Sequence, residues 1–138
     1  MRHARGKTIG ELDNVLITNL VMNTAQGHFN EVSMQGTKVG QRLVFGGVTA
    51  AMVIGLASQD TAEQAIAELG LDKMRFRVPV LHGDTLFAYT EVISVQPALD
   101  QPHAGEVHFR HWGVNQRDEV VFEGERRTLI RRRPPDAG

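Results

Sequence analysis

The sequence predicts an α+β fold in which a curved antiparallel sheet wraps one central apolar helix. Three observations predict it. Gly46 to Ala57 is uncharged and apolar almost all round, so it reads as a buried helix too short to span a bilayer. From about Leu71 onward the chain alternates strand and turn with no further helix. A length of 138 residues suits one domain with one core, and a short helix buried on every side needs a curved sheet around it.

The elements follow in order. Met1 to Lys7 is basic and polar without an apolar period, and reads as a loose arm. Thr8-Ile9-Gly10-Glu11 fits a capping box. Leu12, Val15, Leu16, Leu20 and Val21 then recur at helical spacing, which predicts a helix from about Glu11 to Asn23 with these residues as its buried stripe. Asp13, in the first turn, suits the helix dipole.

A polar cluster with one histidine follows, from Met22 to Asn30. On an unbroken helix, residues five apart point about 140° away from each other. Asn23 and His28 therefore converge only if the chain leaves the helix between them, and Gly27 is the natural break. Asn30 caps a short helix through Met34, and Gly36 and Gly40 bracket a loop to Leu43-Val44-Phe45.

After the buried helix, Asp60 to Gly70 is ambiguous, with Ala, Glu and Gln favouring helix and Asp60-x-x-Glu63 resembling a cap. Leu71 to Val78 is strand-like, Pro79 limits its pairing, and His82-Gly83-Asp84 is a turn. Thr85 to Gln96 has apolar residues on both parities, as in a sheet buried on two sides. Pro97 to Gly105 is a loop, Glu106 to Val114 a strand, Asn115 to Asp118 a turn, and Glu119 to Arg131 a last strand. Residues 134–138 read as a disordered tail. A curved sheet rolled round one apolar helix is the hotdog fold.

Composition removes several function classes. A net charge of -1 gives no global electrostatic case for nucleic acid or an acidic membrane surface. The absence of cysteine excludes thiolate nucleophiles and, with no long apolar run, suggests a cytoplasmic protein. His108 and His111 lie three apart on a strand and face opposite sides; no metal-ligand spacing occurs, and no metal is expected. Arg126, Arg127, Arg131, Arg132 and Arg133 read as charge blunting an edge strand.

Three motifs in this order resemble the MaoC-like dehydratases, the hotdog group that includes the (R)-specific enoyl-CoA hydratases. Met22-Asn23-Thr24-Ala25-Gln26-Gly27-His28 lines up with that family's Gly-Asp-x-Asn-Pro-x-His signature, keeping the histidine spacing. Phe45-Gly46-Gly47 opens the apolar helix where family members often show Ala-His-Gly. Arg75-Phe76-Arg77-Val78-Pro79-Val80, followed by Gly83-Asp84-Thr85-Leu86, is similar to the family's strand-turn-strand segment. The resemblance covers roughly Thr8 to Arg132 and favours strand for about Ile66 to Leu71.

The resemblance implies addition or removal of water at the double bond of an acyl-CoA thioester, with coenzyme A present only as part of the substrate and no further cofactor. Transferred residue by residue, it makes His28 a general acid/base, puts Asn23 at the aspartate position, and makes the Gly47 amide, beside Gly46 at the helix N-terminus, an oxyanion donor. It also implies at least a homodimer and raises one of the C-terminal arginines as a partner for the coenzyme A phosphates. The chain departs from the pattern at Asn23, which orients a water but accepts no proton from it. The alternatives are therefore a hotdog acyl-CoA thioesterase, disfavoured because Gly46 to Gln59 carries no carboxylate, or a non-catalytic acyl-CoA binding subunit. Glu31 and Asp84 are the other carboxylates that stand as candidates to compensate.

Overall fold

The computed structural model describes residues 1–134, so most of the expected tail lies outside the described residues. Five strands form one antiparallel sheet: β1 (Arg2–Thr8), β2 (Ala65–Phe76), β3 (Thr85–Pro97), β4 (Ala104–Val114) and β5 (Val120–Arg131), in the order β1-β3-β4-β5-β2. Four helices precede β2: α1 (Glu11–Leu20), α2 (Gln26–Phe29), α3 (Glu31–Gln35) and α4 (Gly46–Thr61). Between residues 60 and 70 the strand reading holds from Ala65, and α4 runs on to Thr61.

α4 lies on the sheet through Val48, Ala50, Val53 and Ala57, which meet Leu86, Ala88 and Phe122 in the core. Gly113 in β4 makes this approach possible, since a Cβ there would collide with Val53 Cγ2. The helix is not buried all round, for Ala51 and Gly55 face solvent.

Several local expectations are overturned. Residues 1–7 are not a loose arm: β1 pairs with β3, with Gly6 opposite Phe87 and Thr8 opposite Thr85. Thr8 therefore does not cap α1. Gly10 stands at that N-cap, and its amide donates to Asp13 Oδ2 at 2.8 Å. The stripe on α1 is reversed, because Leu12, Leu16, Leu20 and Val21 are exposed while Asn14 and Thr18 are the buried residues of that helix. Helix α1 stops at Leu20 and the left-handed residue is Met22, at φ 58°; Gly27 sits inside α2.

Strand β5 is interior, and the sheet's edges are β1 and β2. Its Arg126 is buried and gives Nε and Nη2 to the Glu68 carboxylate, with Nη1 on Ser58 Oγ at 3.1 Å. The outer half of β3 is exposed at Val92, Ile93 and Val95, so that strand is covered on both sides only along its first half.

Candidate functional site

A cavity of about 340 Å³ opens where the N-terminus of α4 meets the segment after β2. His28, Leu43, Gly46 and Thr49 line one side, and Phe76, Arg77, Val78 and Pro79 line the other. Among the described residues, His28 and Arg77 are the only titratable groups on its wall.

His28 reaches the cavity from the short helix α2. Its Nδ1 lies 2.9 Å from the Leu43 carbonyl oxygen, which accepts and never donates, so Nδ1 carries the proton. In the neutral ring Nε2 is then bare, leaving it as the nitrogen able to take or return a proton. The Leu43 amide donates back to the Gly27 carbonyl at 2.9 Å, clamping the α2 turn to this segment from both sides. The Phe45 ring stands 5.6 Å from the imidazole and fixes its plane further.

The second chemical feature is the start of α4. Phe45 is the N-cap, and the first helical amide bonded back is that of Val48, to the Phe45 carbonyl at 2.9 Å. The Gly46 and Gly47 amides precede it and have no acceptor within the helix, as at any helix N-terminus. Gly46 lines the cavity, whereas Gly47 does not: a Cβ at Gly47 would sit 2.5 Å from the Phe45 ring, which is the packing reason for glycine there.

Asn23 is half-buried and does not line the cavity; its Oδ1 accepts from the Ala25 amide at 3.2 Å, closing a turn at the head of the loop to α2. Among the described residues no hydrogen bond joins Asn23 to His28. The two other carboxylates are occupied elsewhere. Arg42 Nε donates to Glu31 at 2.7 Å and holds that carboxyl below its ordinary range, and Asp84 is buried with Oδ2 on the Leu81 amide and Oδ1 on Gln116. Among the described residues no cluster of three His, Cys, Asp or Glu side chains is arranged to hold a metal.

Sequence reasoning missed Asn14, which is wholly buried on α1. Its Oδ1 accepts from the Phe45 amide at 2.9 Å, and its Nδ2 donates to the Leu43 carbonyl at 3.3 Å and to His82 Nε2 at 3.1 Å. The only signal available was a polar residue in mid-helix, which local propensity treats as solvent-facing.

The arrangement pairs one imidazole with a helix N-terminus across an apolar cleft. A family model described as mesaconyl-CoA hydratase matches residues 1–132. The chain belongs to the mesaconyl-CoA hydratase family. Mesaconyl-CoA hydratase of Haloarcula hispanica is 33% identical over 137 residues, which cover 95% of this chain and 36% of that protein. β-Methylmalyl-CoA dehydratase of Chloroflexus aurantiacus is 33% identical over 140 residues, 98% of this chain and 38% of that one. The chain thus spans little more than a third of these curated relatives. Among solved structures, a MaoC domain protein dehydratase of Chloroflexus aurantiacus superimposes with a TM-score of 0.88 at 31% identity, covering 100% of this chain and 39% of that one. The monoamine oxidase regulatory protein of an Archaeoglobus does so at 0.86 and 25% identity, covering 97% and 90%. The resemblance to MaoC-like dehydratases and the hotdog architecture both hold for this family member.

Proposed function

We propose that this chain carries a hydro-lyase site that adds water across, or removes it to form, the C2–C3 double bond of an unsaturated acyl-CoA thioester. The observation that carries the reading is the His28 ring on the cavity wall with Nδ1 spent on the Leu43 carbonyl. In hydration, bare Nε2 takes a proton from water as its oxygen bonds to C3. The π electrons move into the thioester, the Gly46 amide at the positive end of α4 stabilises the developing oxyanion, and the proton on His28 passes to C2. Elimination is the same path reversed. Asn23 serves here through its turn, which holds the loop carrying His28, and Gly47 lets the helix start tight against Phe45.

Mesaconyl-CoA, in the relatives' names, is a methyl-branched unsaturated thioester with a second carboxylate. Arg77 on the cavity wall gives Nη2 to Glu123 at 2.5 Å, and the other donors of its guanidinium suit the free carboxylate of such an acyl group. Hydration assays over straight-chain, branched and carboxylated enoyl-CoA thioesters test the proposal. Turnover that disappears in His28→Ala supports it; release of free coenzyme A from saturated thioesters through the same cavity replaces it with a thioesterase.

A second copy of the chain covers the apolar stripe of Leu12, Leu16 and Leu20, which are 67%, 59% and 84% exposed. Solution mass tests this, and a clean monomer at micromolar concentration defeats it.

A further inference from the structure

We infer that Asn14 is a positioning residue for the reaction, its buried amide holding Leu43 to Phe45 in the conformation that both fixes the His28 tautomer and starts α4 at the cavity wall. The inference rests on the reading of His28 as acid and base.

The orientation of the Asn14 amide is not free. The Phe45 N–H only donates, so Oδ1 must face it; the Leu43 carbonyl only accepts, so Nδ2 must face that. The second Nδ2 proton goes to His82 Nε2, which must therefore be bare, with the His82 proton on Nδ1. One side chain thus meets three groups with the polarity each requires.

Two of those groups are parts of the site. The Leu43 carbonyl is the acceptor for His28 Nδ1, and Phe45 is the N-cap of the helix whose Gly46 borders the cavity. No common replacement reproduces the set. Aspartate keeps the acceptor for Phe45 but loses both donors, and alanine leaves the Phe45 amide without its acceptor and the shared carbonyl with His28 alone. Either change loosens the peptide that dictates which imidazole nitrogen holds the proton. Misplacement of a catalytic group by an ångström costs about 10²-fold in rate.

The test labels the full chain with ¹⁵N-histidine and reads the imidazole nitrogens of wild type, Asn14→Ala and Asn14→Asp at neutral pH, with His28→Gln assigning the signals. Enoyl-CoA hydration is measured on the same samples. The Asp variant retains the size and the Phe45 acceptor, so it serves where alanine fails to fold. Wild type is expected to show His28 protonated at Nδ1. In the folded variants the Nδ1 share falls and kcat drops by about 10²-fold, with KM little changed. A folded variant that retains both the Nδ1 tautomer and the wild-type kcat overturns the inference. Wild type that hydrates no unsaturated thioester defeats the reading of the site instead, and the nitrogen shifts still decide the positioning role.

Discussion

Asn14 and His28 meet on a single carbonyl: Leu43 oxygen accepts Nδ2–H of Asn14 at 3.3 Å and Nδ1–H of His28 at 2.9 Å. A residue buried in the first helix is thereby joined to the ring that lines the cavity, through a peptide that belongs to neither element. The same amide reaches the first residue before α4, so the His28 ring and the helix N-terminus share one anchor.

Replacing His28 by alanine removes the imidazole from the cavity wall, where Arg77 is the other titratable residue among those described. The expected loss in kcat is about 10²- to 10⁴-fold. Because His28 is only half-buried, the thermal midpoint should stay close to wild type, which separates chemistry from folding.

Asn23 acts through a turn, and its variants report on that. Asn23→Asp keeps the acceptor for the Ala25 amide and is expected to retain stability and rate, while Asn23→Ala loses the turn and lowers both. A large gain in kcat for Asn23→Asp would show that this side chain faces the attacking water after all.

The glycine that seats α4 is open to a sharper test. Gly113→Ala places a methyl group against Val53 in the packed core, an overpacking expected to cost about 1–3 kcal/mol in urea denaturation. Val53→Ala in the same background should recover part of that loss by making room.

Acid should weaken the fold through His111. Its ring is 1% exposed, with Nδ1 on Thr90 Oγ1 at 2.8 Å, and Thr90 Oγ1 also meets His3 Nε2 at 2.7 Å. Burial, with the Arg126 charge and His3 adding to it, pushes its pKa down to about 4. The unfolded chain then binds the extra proton first. Stability is full above the unfolded value near 6.5 and falls as pH drops from there to about 4, by up to about 3 kcal/mol. Denaturation midpoints across that range check this, and His111→Phe should flatten the curve relative to wild type.

The sequence by itself determined the order of the major elements, the apolar helix at Gly46, the three strands after Asp84 and the histidine after the first helix. These are legible because each leaves a local mark: an uncharged run, alternation bounded by turn residues, or a motif of fixed spacing. It did not determine β1, whose residues Arg2–Thr8 have no apolar period and are held by pairing with β3, a partner nearly eighty residues away (Thr8 opposite Thr85). Nor did it determine the buried face of α1. Periodicity locates an apolar stripe but does not say what the stripe meets, and here the leucines face outward while Asn14 and Thr18 go inside. His28 and the Gly46 helix start, which both border the cavity, could be located from spacing alone. Asn14 could not, because its value lies in the polarity of three groups on distant segments, and only folding brings a carbonyl, an amide and an imidazole around one buried side chain.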